Sequence, residues 1–226
     1  MARYEIWYNS GDLKAREFIK TMAPYAKRLA PHGYVSPHIV VRVCRHCDTN
    51  DANCLSFGST IYCAPPNKRS KIPGRKSLTL GIEESCIYEA YNKEEEKWWN
   101  YMTLSYDCKD KDFSEECMTL AKGAAEIENS RIRDCITKGE DILQREYLRL
   151  QSSGLAFNPA IIINDVVYRV KLVCCMNQRR DHWIRQMCLS RFAARSTLLL
   201  RLAIAIMMRP HKLGKKLLLE WAQERL

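Results

Sequence analysis

The sequence predicts an α/β domain followed by a basic tail, and three observations support that prediction. A β-α-β pattern opens the chain, a long helical region follows it, and a β-hairpin comes next at about residues 160–170. The formal charge of +10 is confined to the end of the chain: residues 1–168 hold 23 basic and 23 acidic side chains, and residues 169–226 hold 13 and 3. We therefore predict a neutral domain over 1–172 and a helical or disordered basic tail over 173–226.

The β-α-β unit is read from periodicity. Alternating Tyr4, Ile6 and Tyr8 favour a strand, and Asn9-Ser10-Gly11-Asp12 then turns the chain, with Ser10 or Asp12 as the cap of the next helix. Apolar residues at helical spacing predict a helix over 13–29, which Pro24 should kink or break. Four β-branched residues in five predict a second strand over 37–43, parallel to the first.

The middle of the chain reads as loops and helices. Residues 44–66 look irregular, residues 67–77 form a basic loop, and helices are expected over 77–104, 114–123 and about 127–152. Strands at 160–163 and 166–170, joined by an Asn-Asp turn, then make the hairpin. This order resembles the thioredoxin-like fold with a helical, cysteine-rich insertion at about 77–155 before the final hairpin. Pro159 stands where that fold places a proline that is usually cis, and we predict a cis bond there.

Eight of the eleven cysteines lie in the neutral domain and read as a disulfide framework made in an oxidising compartment. Eight cysteines allow about 105 pairings, so the sequence leaves the connectivity open. These disulfide candidates are Cys44, Cys47, Cys54, Cys63, Cys86, Cys108, Cys117 and Cys135. Cys174, Cys175 and Cys188 belong to the tail and do not look like part of this framework.

Cys44-Arg45-His46-Cys47 has the spacing of a redox dithiol, but its position is unusual. Thioredoxin-like enzymes carry their dithiol between the first strand and its helix, where this chain has Asn9-Ser10-Gly11-Asp12 without sulfur. Structural bridging is therefore the favoured role. A thiol-disulfide oxidoreductase that uses Cys44 and Cys47 is the alternative.

Other functional sites receive weaker support from the sequence. The spacing C-x2-C-x6-C-x8-C of Cys44, Cys47, Cys54 and Cys63 contains only one close pair, which is weak for zinc. Trp98-Trp99 can form a carbohydrate or peptide platform, but the favoured interpretation is one buried anchor with a half-exposed neighbour, and Glu94-Glu95-Glu96 is expected to be a solvated helix face. No nucleotide, hydrolase or metalloprotease motif occurs. We predict no catalytic residue, metal or cofactor.

The tail offers a second kind of surface. Its apolar run at 198–208 is far shorter than the roughly 20 residues that cross a bilayer. Residues 190–226 can contact an anionic membrane surface or nucleic acid through their basic side chains, and a tail without a ligand is the simpler interpretation. Because the domain itself is neutral, we expect no nucleic-acid partner.

Several short motifs together resemble the thioredoxin-like lumenal region of vacuolar sorting receptors. They are Trp7-Tyr8, Ala23-Pro24-Tyr25-Ala26-Lys27, Tyr62-Cys63-Ala64-Pro65, Glu84-Ser85-Cys86-Ile87-Tyr88, Trp98-Trp99-Asn100-Tyr101, the spaced Cys108, Cys117 and Cys135, and the hairpin at 158–169. The resemblance covers about residues 3–172. It departs after Arg169, where the family has a glycine and a further cysteine-bearing helix and this chain has Val170-Lys171-Leu172.

The resemblance implies a redox-inactive module for protein recognition or spacing in the transport of soluble cargo to the vacuole. Its partners would be protein cargo or neighbouring receptor domains, and its location the lumen of the endomembrane system, in the Golgi and prevacuolar compartment. In the family this region lies between a protease-associated domain and EGF-like repeats, ahead of a membrane span. Residues 1–8 read as a strand rather than a signal peptide. We therefore expect an isolated or truncated member, to which no cargo-binding residue carries over.

Overall fold

A computed structural model describes residues 2–30, 33–65, 72–92, 94–155 and 159–169. The strands are β1 (Ala2–Tyr8), β2 (Gly33–Ile39), β3 (Arg42–Val43), β4 (Cys54–Phe57), β5 (Thr60–Cys63), β6 (Ala160–Ile163) and β7 (Val166–Arg169). The helices are α1 (Leu13–Leu29), α2 (Gly74–Ala90), α3 (Glu95–Tyr106), α4 (Glu115–Ala124), α5 (Asn129–Thr137) and α6 (Gly139–Ser153), with a 3-10 helix at Asp107–Lys111.

The main sheet has four strands in the order β2-β1-β6-β7. β1 and β2 run parallel, with Tyr4 opposite Val35, whereas β6 is antiparallel to β1, with Ile6 opposite Ile161. A parallel pair needs a crossover connection, which α1 supplies. This topology confirms the predicted thioredoxin-like α/β fold with its helical insertion before the hairpin.

Strand β1, in the interior of the main sheet, is buried on both of its faces. Tyr4, Ile6 and Tyr8 of β1 alternate with Trp7, and all four are at most 2% exposed. Trp7 belongs to a cluster with Val40, Ala160 and Ile162, on which Leu150 and Leu155 also pack. Because successive side chains of a strand point to opposite faces, helices must cover both sides of the sheet.

α1 begins where the sequence places it. Asp12 is the cap residue, and its carboxylate accepts a hydrogen bond from the Lys14 backbone N–H at 2.9 Å. The prediction that Pro24 breaks the helix is wrong, because α1 continues to Leu29. Pro24 is exposed, so water can satisfy the carbonyl that its missing N–H leaves free.

A second sheet corrects the prediction of an irregular region at 44–66. Here β3, β5 and β4 form three antiparallel strands in that order. The predicted strand at 37–43 is also divided, because β2 starts earlier, at Gly33, and Arg42 and Val43 belong to the second sheet. The alternation of apolar and polar residues in β4 and β5 was not recognised, because each strand has four residues, one of them a cysteine, and a short turn from Phe57 to Thr60 joins them.

The inserted helices are shorter than predicted. The stretch at 77–104 is two helices, α2 and α3, and the stretch at 127–152 is also two, α5 and α6, which meet at Lys138. The predicted start of α4 is confirmed by the Ser114 hydroxyl, which accepts from the Cys117 backbone N–H at 3.4 Å. Helical periodicity continues across such short breaks, so the pattern alone does not show them.

The final hairpin forms as predicted. Asn164 and Asp165 occupy the turn with φ of 46° and 65°, the left-handed conformation that tight hairpins require. The predicted cis bond at Pro159 involves residue 158, and the predicted tail covers 173–226; both lie outside the described residues. No helix within the described ranges is long and apolar enough to cross a membrane.

Candidate functional site

The β1–α1 loop, residues 9–12, lies where a thioredoxin-like enzyme holds its dithiol. In this chain its polar side chains are buried. Asn9 is 4% exposed, Ser10 2% and Asp12 0%. Neither the loop nor the first turn of α1 contains a cysteine. A nucleophilic thiol must be partly exposed to meet its substrate, and this position offers neither the sulfur nor the access.

A buried ion pair fills the space beside this loop. The Arg16 guanidinium on α1 pairs with the Glu84 carboxylate on α2, and both side chains are 0% exposed. Arg16 Nε also donates to the Ser10 carbonyl at 2.6 Å, and Nη1 donates to the Ser105 hydroxyl at 3.0 Å. The Phe113 ring lies over the same guanidinium, 4.5 Å from Cζ. The arginine therefore links β1–α1, α2, α3 and the loop before α4.

Glu84 is held by several donors besides Arg16. The Ser10 hydroxyl donates to it at 2.6 Å, and the Tyr8 hydroxyl is also bonded to it. Burial raises the pKa of Glu84, while Arg16, Ser10 and Tyr8 oppose that rise. Burial, with Glu84 nearby, also raises the pKa of Tyr8 well above its ordinary value. The whole set is satisfied internally, which is typical of a structural network.

A second set of bonds joins the loop to α2. Asn9 Oδ1 accepts from the Ser77 hydroxyl at 2.5 Å and from the Gly11 backbone N–H at 2.9 Å. Gly81 lets α2 approach closely, since a Cβ there would lie 3.0 Å from Ile39 and 3.1 Å from the Ser10 hydroxyl. The loop is thus packed closely against α2.

Four disulfides join the eight cysteines that the sequence singled out. Two of them lie together in the second sheet: Cys44–Cys47 in the loop after β3 and Cys54–Cys63 across β4 and β5. The Sγ atoms of Cys47 and Cys63, which belong to different bridges, are 4.0 Å apart. Arg45 and His46 between the first pair are exposed. The C-x-x-C motif is therefore present as a disulfide in the loop after β3, and not in the β1–α1 loop.

The other two disulfides fasten the inserted helices. Cys86–Cys135 joins α2 to α5 across 49 residues of chain, and Cys108–Cys117 joins the 3-10 helix to α4 across 9. Cys86 and Cys108 are at most 1% exposed. These bridges hold helices that cover the side of the molecule around Glu84.

The Trp98-Trp99 pair is not a platform, and the expected half-exposed neighbour is wrong. Trp98 is 0% and Trp99 2% exposed, with ring centroids 4.9 Å apart in an edge-to-face arrangement. The Trp98 indole N–H donates to the Glu84 carbonyl at 3.1 Å. Both rings are buried because α3 is covered by α1 on one side and α4 on another.

A serine, a histidine and a glutamate form a hydrogen-bonded series on the opposite face of the sheet. His38 lies 3.0 Å from the Ser36 hydroxyl through Nε2 and 2.8 Å from the Glu146 carboxylate through Nδ1. The Glu5 carboxylate lies 4.0 Å from Nε2, and Trp7 is stacked on the imidazole at 4.5 Å. We call this series the clamp, because it joins β2 to α6.

A surface groove of about 810 Å³ lies beside β2 and α3. Its lining includes Tyr34, Glu94, Glu95 and Glu126. Glu94 and Glu96 are exposed, as predicted for a solvated face, whereas Glu95 is half-buried, and burial raises the pKa of Glu95. Lys97 lies 3.3 Å from Glu94 and 3.8 Å from Glu126, so it is shared between two of the four carboxylates that line the groove. The lining, with four acids and one lysine, is therefore acidic.

Sequence reasoning missed Arg16, Glu84, His38 and Glu146, although a signal existed for one of them. Glu84 follows Leu80 by four residues and precedes Ile87 by three, and both of those are buried on α2. Residues at such spacing share one helix face, so an acid there requires a buried partner. Nothing in the sequence identifies Arg16 as that partner across 68 residues.

Comparison with known proteins gives one family. The family model described as vacuolar sorting receptor thioredoxin-like domain matches residues 2–176. No curated protein matches the chain.

Solved structures with a similar arrangement are bacterial thiol-disulfide proteins. The reduced DsbA of Mycobacterium tuberculosis is 11% identical, with a TM-score of 0.45 over 74% of this chain and 75% of that one. The thiol-disulfide exchange protein alpha-DsbA2 of Wolbachia pipientis is 15% identical, with a TM-score of 0.42 over 74% and 73%. Chlamydia trachomatis DsbA is 12% identical, with a TM-score of 0.45 over 74% and 77%. Similarity this low assigns no activity to the chain.

Proposed function

Because the chain belongs to the family of vacuolar sorting receptor thioredoxin-like domains, we propose that it is a redox-inactive module for protein recognition or spacing in the sorting of soluble cargo to the vacuole. Its partners are protein cargo or neighbouring receptor domains, and nucleic acid is not among them. It acts in the lumen of the endomembrane system, in the Golgi and prevacuolar compartment, where four disulfides persist. In this role the domain is not an enzyme.

The β1–α1 loop is the observation that carries the proposal. A thioredoxin-like oxidoreductase attacks its substrate with a partly exposed thiolate. This chain instead has Ser10 at 2% exposure, bonded to the buried Glu84 at 2.6 Å. Such an arrangement supports a rigid scaffold rather than a reaction centre.

The alternative function is thiol-disulfide exchange by Cys44 and Cys47. It is supported by the half-buried position of that pair and by the exposed Arg45 and His46 between its cysteines. Basic neighbours stabilise a thiolate and so favour reactivity. The two functions make opposite predictions for the wild-type chain, and both predict that a variant without this pair is inactive in exchange.

An insulin-reduction assay with dithiothreitol separates them. We expect the wild-type chain and a Cys44→Ser/Cys47→Ser variant to reduce insulin at the same rate as dithiothreitol alone. A matched control variant, Cys108→Ser/Cys117→Ser, removes another short bridge. Acceleration by the wild type and the control but not by the Cys44/Cys47 variant would establish the oxidoreductase and overturn redox inactivity.

The sorting role is tested in cells that lack the chain. We expect soluble vacuolar hydrolases to appear in the medium and to return to the vacuole when the wild type or the Cys44→Ser/Cys47→Ser variant is reintroduced. Normal hydrolase retention in the deletion cells would contradict a role in sorting. Rescue by the wild type alone, with equal amounts of the two proteins, would contradict a role without redox chemistry.

A further inference from the structure

The acidic groove beside β2 and α3 contains a carboxylate whose charge the described residues do not balance. Glu94 pairs with Lys97 at 3.3 Å and with Arg131 at 3.7 Å, and Glu126 shares Lys97 at 3.8 Å. Glu95 also lines the groove and is half-buried, yet the described part of the chain holds no basic partner for its carboxylate. The inner acid of the groove therefore lacks a counterion among these residues.

The inner side of the Glu95 carboxylate is polar but carries no positive charge. Burial raises the pKa of Glu95, and the Val35 backbone N–H, which donates to the carboxylate, opposes that rise. Tyr4 is 2% exposed, and its hydroxyl has no hydrogen-bond partner among the described residues. Burial and, after it, the nearby Glu95 raise the pKa of Tyr4. Because a partly desolvated carboxylate is stabilised by an opposite charge, this part of the groove favours a cation.

The adjacent edge of β2 is closed to a further strand. β2 is an outer strand of the main sheet, and the outward backbone groups of Val35 are both occupied: Tyr88 donates to its carbonyl, and Glu95 accepts from its N–H. Pro37 lies two residues further along the same edge and has no N–H to offer. A peptide that extends a sheet needs such free groups. A partner in this groove must therefore be held through side chains.

Arginine suits this groove better than lysine does. Its planar guanidinium can bind a carboxylate through two parallel hydrogen bonds, and it is more weakly hydrated than an ammonium group. Tyr34 lines the groove and is 41% exposed, so its ring is accessible for stacking by a guanidinium. The exposed amides of Asn92 and Asn100 offer donors and acceptors to a peptide backbone. A volume of about 810 Å³ is sufficient for a short peptide segment.

We propose that this groove binds an arginine-bearing peptide segment of a partner protein, with the guanidinium paired to the Glu95 carboxylate. The proposal rests on the proposed function, because it identifies a surface through which the module recognises a protein. The incoming arginine breaks no ion pair of the chain, since Lys97 and Arg131 keep their own acids. Glu126, whose side chain is 81% exposed, adds negative charge that attracts the peptide.

A fluorescent peptide of alternating arginine and alanine is the probe. Its control is the citrulline analogue, which has nearly the same shape without the charge. Fluorescence anisotropy with the full-length chain should show saturable binding of the arginine peptide, about tenfold tighter than that of the citrulline peptide and tighter than that of a lysine peptide. Equal affinity for the arginine and citrulline peptides would overturn the proposal. Equal affinity for the arginine and lysine peptides would overturn the assignment to arginine.

Three variants locate the binding site. Glu95→Gln keeps the size of the side chain and should weaken binding of the arginine peptide about tenfold. Ala124→Arg introduces a cation at an exposed position in the groove lining, so it should also weaken binding and provides a second test if Glu95→Gln is unstable. Glu140→Gln removes the same charge from an exposed position on α6 and should bind like the wild type. Equal losses in Glu95→Gln and Glu140→Gln would indicate general attraction to acidic surface and would overturn the site.

The rescue of hydrolase retention in deletion cells separates this proposal from the proposed function. We expect the wild type to restore retention and Glu95→Gln, at equal protein amount, to restore less. Full rescue by a Glu95→Gln chain that has lost peptide binding would overturn the groove as a recognition surface and leave the sorting role intact. Failure of the wild type to rescue would contradict the sorting role, whereas the peptide-binding result would still decide whether the groove takes arginine.

Discussion

The Arg16 guanidinium and the Glu84 carboxylate form an ion pair in which both side chains are fully buried. The pair stands beside the loop in which a thioredoxin-like enzyme would hold its dithiol. A buried charge is tolerated only when it is paired and hydrogen-bonded, and here Ser10, Ser105 and Tyr8 supply the remaining bonds. In this chain the β1–α1 loop is part of the buried polar core of the domain.

The first prediction concerns the two partners of this pair. Arg16→Met should lower the free energy of unfolding by about 3–5 kcal/mol, because it leaves the buried Glu84 carboxyl without its counterion. Arg16→Met combined with Glu84→Leu should cost less than the sum of the single variants. Urea unfolding of the four chains in the cycle measures the coupling. Strict additivity would show that the two side chains do not depend on one another.

The second prediction ranks two disulfides. Loss of Cys86–Cys135 by paired alanine substitution should cost about 4 kcal/mol, and loss of Cys108–Cys117 about 3 kcal/mol, since the first closes the longer loop. The separations are 49 and 9 residues. Urea unfolding of both variants under non-reducing conditions tests the order. The reverse order would mean that packing around the bridges, rather than loop length, determines their contribution.

The third prediction uses two glycines as a matched pair. Gly81→Ala should destabilise the domain by about 1–3 kcal/mol, because the new Cβ would lie 3.0 Å from Ile39, a core residue 2% exposed. Gly123→Ala, in α4, meets nothing within 4 Å and should stabilise by about 0.5–1 kcal/mol through helix propensity. Thermal unfolding compares both with the wild type. A neutral Gly81→Ala would mean that Ile39 can move away.

Sequence patterns predict the elements of this fold better than they predict its pairings. Alternation identified β1, and Asn164-Asp165 identified the hairpin, because both signals are local. The second sheet escaped because β4 and β5 are only four residues each and bear cysteines at paired positions. The sequence also shows directly that the β1–α1 loop contains no cysteine.

The buried polar pairs could not be predicted from the sequence. The Arg16–Glu84 pair spans 68 residues, and the Glu146–His38 pair spans 108. Such partners are selected by the packing of helices on the sheet, and a single sequence does not encode which polar residue meets which. For the same reason the sequence left the pairing of the eight cysteines open, and only the structure shows it.

The fourth prediction concerns alkaline pH and Tyr88. Its hydroxyl donates to the Val35 carbonyl, and burial, with Glu95 nearby, raises the pKa of Tyr88 from 10.0 to about 12. The folded chain thus keeps this proton to a higher pH than the unfolded chain. Stability from Tyr88 should be complete below pH 10 and should decline as the pH rises through about 12. Urea unfolding across that interval should show a steeper loss for the wild type than for Tyr88→Phe, and parallel curves would contradict the shift.

The fifth prediction concerns the clamp on the opposite face of the sheet. The Glu146 side chain is 2% exposed. Its carboxylate lies 2.8 Å from His38 Nδ1 and 3.4 Å from Arg149 Nη1. Glu146→Ala should cost about 1–3 kcal/mol, because it leaves the buried imidazole without its partner on α6. Glu140→Ala, an exposed acid on the same helix, is the control and should change the unfolding free energy by less than about 0.5 kcal/mol. Urea unfolding measures both variants. Equal effects would show that the His38–Glu146 contact does not fix α6 to β2, and the series would then need another role.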